Sequence, residues 1–245
     1  MNNLEQHGVL CTTSTAADGN MDFRFGNHEA VTKNREQFLK RFGVALGNVV
    51  VMKVNHGDSI RVVGGSEGGH GAFRPDDAIL GEALITKDAR VTLMLLTADC
   101  VPVVLYDPHT RAVALLHAGW KPTVLLLGQK VIAFMKETYN VNPENLYAYL
   151  GPGIKKDSYV FPDLAQKNDP RWRPFIEERG RQYAVDLFAC NTHVLTESGV
   201  LPSHIEVSAI DTGSDTAYYS HVRSRTSGEP EGRIATIVRL PAPLA

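Results

Sequence analysis

Two periodicities divide the chain. Around residues 31–42, Val31, Phe38, Leu39 and Phe42 share one face of a 3.6-residue repeat and Gly43 stands at the stop position, which predicts a helix. Residues 48–54 and 59–63 are short β-branched runs around His56-Gly57-Asp58, so they read as two strands joined by a turn that opens with a histidine. A Gly-rich loop at 64–72 precedes the densest apolar block. Its segments 83–86, 91–98, 101–106 and 111–116 are consistent with adjacent, largely buried strands. Over residues 123–139, Val124, Leu127, Val131, Ile132, Met135 and Tyr139 fall near helical spacing, and Asn142-Pro143 closes that helix. A strand at 146–150 leads into Gly151-Pro152-Gly153. Asp186 is placed to cap a third helix that runs to 198 and stops at Gly199, and strands at 205–210 and 233–240 follow. Several strands are separated by turns too short for parallel crossovers. The expected fold is therefore α+β, a single domain over residues 1–245 with mixed β-sheets flanked by helices.

Charge narrows the function classes. The 245 residues carry 25 Lys+Arg against 27 Asp+Glu, a formal net charge of −2. No broad basic footprint for nucleic acid follows from that balance, so small-molecule chemistry is the expectation. Three cysteines, Cys11, Cys100 and Cys190, are odd in number and far apart, and none forms a Cys-x-x-Cys pair. That argues against a disulfide framework, a zinc ribbon or a thioredoxin-like motif, and for a reducing compartment. The N-terminal residues lack a basic stretch followed by an apolar core, and the apolar run 91–106 is broken by Asp99 and Pro102. Neither a secretory signal nor a membrane span is expected, and the protein reads as cytoplasmic.

Candidate chemistry gathers at strand ends. Asp99-Cys100 lies at the break between two apolar strands, and His117-Ala118-Gly119-Trp120 ends the next strand before a helix. If those strands are neighbours, Cys100 and His117 approach at one rim of the sheet and the His56 turn supplies a third group. Two imidazoles and a thiolate with a fourth position open suit a catalytic zinc site. Singly, each residue has a plainer reading: Cys100 as a buried thiol, His56 as a turn residue bonded to backbone, His117 as a satisfied core histidine. An acid inside an apolar block is costly without a partner or a task, and Asp99 beside Cys100 favours reading these residues together.

The run Thr97-Ala98-Asp99-Cys100-Val101-Pro102-Val103, then Tyr106-Asp107-Pro108 and His117-Ala118-Gly119-Trp120, resembles the YfiH/YlmD family of laccase-domain proteins, once called multicopper polyphenol oxidases. Asn34-Arg35, His56-Gly57, Ala83-Leu84-Ile85-Thr86, Gly151-Pro152-Gly153-Ile154 and Gly232-Arg233 fall in the same order. The resemblance implies a YfiH-like domain of two mixed sheets with outer helices, and zinc held by His56, Cys100 and His117, with copper as the alternative metal. It implies phosphorolysis of adenosine, inosine, guanosine or methylthioadenosine, with hydrolytic deamination of adenosine alongside. Purine nucleosides and phosphate are then the expected partners, and oligomeric state is left open. For deamination Asp99 is the candidate proton shuttle, or, since strand alternation points it away from Cys100, a residue that supports the ligands from behind; Cys100 and His117 are the other catalytic residues. Neutralising phosphate calls for cations. Arg35, in the Asn-Arg pair, is the first candidate. Arg223 and Arg225 follow, in a segment similar to the family's late Ser-Tyr-Arg-Arg stretch, and Lys121 stands where the family has arginine.

Departures accompany the matches. Lys121-Pro122 replaces the family's Arg-Gly, Glu82 stands where an aspartate is usual, and Asp211-Thr212 replaces a late Cys-Thr, which would bring negative charge towards the metal. Three other functions compete. Cys100 and His117 could form a metal-independent cysteine hydrolase. A four-copper laccase needs about ten histidines, largely in His-x-His pairs, and the nine histidines here include no such pair. A binding protein that keeps the fold without catalysis is the third.

Overall fold

In the strand Val49–Lys53, Val49 and Val51 point to one side, Val50 and Met52 to the other, and all four are buried. That pattern needs apolar partners on both faces. The computed structural model, which describes residues 2–242, supplies them by stacking two sheets between helices. The first sheet has the order Leu10–Thr13, Ile234–Arg239, Thr92–Thr97, Val49–Lys53, Ile79–Leu80. The second has the order Ile205–Val207, Tyr147–Leu150, Val101–Asp107, Ala112–Ala118, Ala83–Thr86, Ile60–Val62. Both mix parallel and antiparallel pairs, as the short turns require.

Val50, Met52, Leu93 and Leu95 meet Leu84, Val104, Val113 and Leu115 between the sheets. On the far side of the first sheet, Val49, Val51, Met94 and Ile237 pack on Phe38 and Leu39 of the helix His28–Lys40. On the far side of the second, Val103, Leu105, Ala114 and Leu116 pack with Val131, Ile132 and Met135 of the helix Leu127–Tyr139 and with Phe188 and Leu195 of the helix Leu187–Glu197. The mixed α+β fold expected from the sequence is the one observed. Asp186 caps its helix as expected, accepting from the Ala189 N–H at 2.8 Å.

Some elements differ. The helix expected over 123–139 is two helices, Trp120–Val124 and Leu127–Tyr139, separated by Leu126 in the left-handed region at φ 57°. Pro122 lies in the first turn, where a missing N–H costs nothing, so the helix starts before it. A small sheet, Val160–Phe161, Gln182–Val185 and Ile176–Arg179, and the helix His221–Ser227 are too polar and too short to show a period. The Gly-rich loop is docked on the first sheet: Val51 N donates to His70 O and Gly69 N to Val49 O, both at 2.9 Å. Among the described residues no helix is long and apolar enough to cross a membrane.

The topology that matters for function is a crossing made three times. Val49–Lys53 leads to Ile60–Val62, Ile79–Leu80 to Ala83–Thr86, and Thr92–Thr97 to Val101–Asp107. The three strands left behind are parallel to one another, and so are the three entered, so all the crossings lie at one edge. Ala112–Ala118 runs the opposite way and ends at that same edge.

Candidate metal centre

Each crossing delivers candidate chemistry. The first carries His56, the second Glu82, the third Asp99-Cys100, and the end of Ala112–Ala118 carries His117. The candidate ligand atoms of His56, Cys100 and His117 all lie within 4.8 Å of one another, and these residues form the one such group of three among the described residues. The two imidazole rings stand nearly perpendicular, at 82°, with centroids 5.2 Å apart. His117 is buried, Cys100 half-buried and His56 exposed, so the cluster opens to solvent past His56. Two of the crossings need left-handed backbone at a non-glycine residue, φ 62° at His56 and 85° at Asp99. Such conformations persist only where surrounding contacts enforce them. Gly119 completes the cradle. A Cβ there would meet Cys100 Sγ at 2.8 Å and His117 Nε2 at 3.4 Å.

Glu82 is the residue that sequence reasoning noted as a departure and gave no task. It is wholly buried. One carboxylate oxygen lies 2.6 Å from His117 Nδ1; the other accepts from the backbone N–H groups of Asn55, at 2.6 Å, and His56. A single carboxylate thus directs one imidazole and fixes the turn carrying the other. With its Nδ1 proton given to Glu82, His117 presents Nε2 to the cluster, the tautomer a metal ligand needs. The available signal was a lone acid directly before the buried strand Ala83–Thr86.

Electrostatics follow from this packing. Burial and then the neighbouring His117 lower the His56 pKa; Glu82 opposes this, while Lys121 and Arg24 add to it, leaving a neutral imidazole. For His117, burial alone would lower the pKa, but the neighbouring Cys100 and Glu82 outweigh it and raise it to about 9. Burial likewise works against the ionised Glu82, yet the hydrogen bonds from His117, Asn55 and His56 hold it below the usual carboxylate range. The metal-free site therefore keeps a proton on His117 at neutral pH, and metal uptake must displace it. Metal affinity should weaken by about tenfold or more for each pH unit below 9. Competition against a chromophoric chelator between about pH 6.5 and 8.5 measures this, and a flat profile contradicts it.

The donor set fits a metal ion: two directed imidazoles, a thiol, and room secured by a glycine. The other residues singled out from the sequence lie elsewhere. Asp99 has its carboxylate bonded to Thr212 Oγ1 at 2.8 Å, Ser220 Oγ at 3.1 Å and Val222 N at 2.8 Å. All three contacts tie the 212–222 segment to the Cys100 crossing. Arg223 spends its guanidinium on Glu229 and on the carbonyls of Thr212 and Tyr218, which leaves it no fork to offer phosphate. Arg35 is buried outside the cluster, bonded to the carbonyls of Met21, Gly71 and Ala72. Lys121 is exposed, and its charge reaches His56. Asp211 does not join the ligands. It accepts from Lys155 N, Ser158 Oγ and Gly213 N as a loop clamp. Sequence reasoning also gave no task to two aromatic residues near these crossings, Tyr159 and Trp120. Burial, then Cys100 and Asp99, push up the pKa of Tyr159, and Trp120 packs on Trp172 with centroids 4.6 Å apart.

The chain is similar to several known proteins. The family described as "Multi-copper polyphenol oxidoreductase laccase" matches residues 6–241. The chain is 32% identical over 203 residues to "Purine nucleoside phosphorylase YlmD" of Bacillus subtilis, covering 80% of this chain and 73% of that one. To the protein of the same name from Geobacillus stearothermophilus it is 31% identical over 218 residues, covering 84% and 78%. The crystal structure of YlmD from Geobacillus stearothermophilus superposes with a TM-score of 0.89 at 28% identity, covering 96% of this chain and 92% of that one. The Bacillus licheniformis hypothetical protein YfiH gives 0.86 at 25%, covering 97% and 94%. With nearly its whole length matched and the same fold recovered, the chain belongs to the YfiH/YlmD family of laccase-domain proteins.

Proposed function

We propose that the protein is a zinc-dependent purine nucleoside phosphorylase acting on adenosine, inosine, guanosine or methylthioadenosine, with deamination of adenosine as an accompanying activity. The observation that carries the reading is the convergence of His56, Cys100 and His117 at one solvent-open edge, in a chain whose relatives bear that enzyme's name. Two imidazoles with one thiolate favour zinc, and a divalent ion held there would supply Lewis-acid polarisation of a substrate oxygen or nitrogen. Phosphorolysis balances simply. A phosphate oxygen bonds to the anomeric carbon as the C–N glycosidic bond breaks, and the electron pair leaves on the purine nitrogen, which takes a proton. The chain's part is to seat the base, hold the phosphate and shield both. Lys121 brings positive charge to the rim of the cluster. Laccase chemistry lacks a comparable basis. Outside the cluster the histidines are dispersed, His7 and His204 against Tyr147 and His221 paired with Glu231.

Incubating the protein with each nucleoside, with and without phosphate, and separating the products tests the reading. Free base should form only with phosphate, and inosine should form from adenosine without it. If no nucleoside is consumed under any condition, the assignment is wrong.

One observation favours a second reading. Cys100, His117 and Glu82 are arranged in sequence as nucleophile, base and orienting acid, the order a cysteine hydrolase uses. The two readings part under a chelator. The zinc enzyme should lose activity and regain it on zinc addition, whereas the thiol enzyme should be indifferent to chelation and be labelled covalently at Cys100.

A further inference from the structure

Beside the metal centre lies a cleft that none of the three ligands lines. It offers about 600 Å³ of space, open solvent at its mouth included, at the end of the strand Val49–Lys53, and is lined by Val51, Val54 and Leu96, by Pro75 and Ala78, and by the Asp22-Phe23-Arg24 turn. Val54 is two residues before His56, and the charge of Arg24 reaches His56, so the cleft and the cluster share a rim.

Arg35 forms part of its wall. The residue is 1% exposed. Nε donates to Met21 O at 2.8 Å and Nη1 to Gly71 O and Ala72 O at 2.7 and 2.9 Å, while the Phe23 ring lies 4.3 Å from the guanidinium carbon. Among the described residues no acceptor reaches Nη2, yet Nη2 is not among the sealed and unpartnered atoms of the interior. Because Arg35 lines the cleft, its small remaining exposure opens there, with Nη2 as the free donor. A buried guanidinium with an unused donor is costly unless a ligand completes it. Burial lowers the Arg35 pKa to about 10, with Asp22 opposing, so the group stays cationic at neutral pH.

The charge balance points the same way. Arg24 and Lys53 also line the cleft; Arg24 is paired with Asp22 at 2.6 Å, and Lys53 has no ion-pair partner among the described residues. Three cations thus face one carboxylate, against walls that are otherwise largely apolar. Charges act more strongly on a ligand in such surroundings than in open water.

We propose that this cleft is an oxyanion subsite that binds inorganic phosphate, with Arg35 Nη2 as its fixed donor and Arg24 and Lys53 as its flexible charges. The inference rests on the phosphorolysis reading for its purpose: it places the attacking anion beside the cluster. It also gives Arg35 the phosphate contact expected from sequence, through one nitrogen of a guanidinium whose other donors hold the fold.

Titration calorimetry of the intact protein with inorganic phosphate is the test. Lys53→Ala and Arg24→Ala should each weaken phosphate binding by about tenfold, the scale of one charge-assisted hydrogen bond. Lys136→Ala, on the outer helix Leu127–Tyr139, should leave it unchanged. Arg35→Lys keeps the charge and loses the fork, and should weaken binding at least as much. Should that variant fail to fold, the two exposed residues decide the matter. Phosphate binding unaffected by both Lys53→Ala and Arg24→Ala overturns the subsite, as does a nucleoside monophosphate that binds here when inorganic phosphate does not. Kinetics separate this inference from the reading beneath it. If phosphate binds as described and nucleosides are not consumed, the subsite stands and phosphorolysis falls. If phosphorolysis proceeds with the KM for phosphate unchanged in both variants, phosphorolysis stands and the subsite falls.

Discussion

Cys100→Ser should yield a folded protein that retains no stoichiometric metal and turns over nucleosides on the order of 10³-fold more slowly. The magnitude comes from the several kcal/mol that Lewis-acid stabilisation contributes, each 1.4 kcal/mol being about a factor of ten in rate. Folding should survive because Cys100 is half-buried at a crossing whose backbone is held by other groups. Asp99 is anchored by Thr212, Ser220 and Val222, and its carbonyl accepts from Ile154 N at 2.8 Å. Metal content by mass spectrometry, read beside activity, is the decisive pair of measurements. A serine variant that keeps both its metal and its rate would remove the cluster from the chemistry. Gly119→Ala offers an independent check that replaces no ligand: its Cβ would stand 2.8 Å from Cys100 Sγ, so metal content should fall with activity.

Glu82→Gln should lower metal affinity by about 10–100-fold, the usual cost of losing a carboxylate that directs a ligating histidine. The amide is nearly the same shape. It keeps one acceptor oxygen and turns the other position into a donor, which must face either the His117 Nδ1–H or the backbone N–H groups of Asn55 and His56. An orphaned donor in this wholly buried site costs about 1–3 kcal/mol, so the melting temperature should fall even without metal. Glu82→Asp separates the two tasks. One methylene shorter, it should keep either the histidine or the turn, and so lie between wild type and Glu82→Gln in metal affinity. Equal affinities for all three proteins, measured by chelator competition, would leave Glu82 as packing alone.

Much of the layer architecture was legible because a strand covered on both faces reads as an unbroken apolar run, as at Val49–Lys53 and Val101–Asp107. The ligand positions were legible as polar residues stranded at the ends of such runs. Glu82 was not, because nothing in Gly81-Glu82-Ala83 reveals that a chain segment from residue 55 and a ring from residue 117 both arrive there. Asp99 and Arg223 show the other side of this. Sequence marks a charged residue near the chemistry, but only the fold shows its charge already spent on hydroxyls and carbonyls. The elements with mixed polarity, such as Ile176–Arg179, paired with the next strand Gln182–Val185, and the seven-residue helix His221–Ser227, are too short for a period to record them.

The triple crossing has a consequence for how the molecule comes apart. Each of the three connections joins a strand of one sheet to a strand of the other, and the ligands sit on two of them and on a strand end of the second sheet. An ion bound there would act as a rivet between the sheets, stabilising only states in which the two are docked in register. Ligand binding adds RT ln(1 + [L]/Kd) to the stability of such states, about 4 kcal/mol at a thousandfold excess over Kd. The effect should concentrate where the sheets part. Amide exchange in the edge strands Ile60–Val62 and Ile79–Leu80 should slow with metal, while the helix His28–Lys40, outside the crossing edge, should change least.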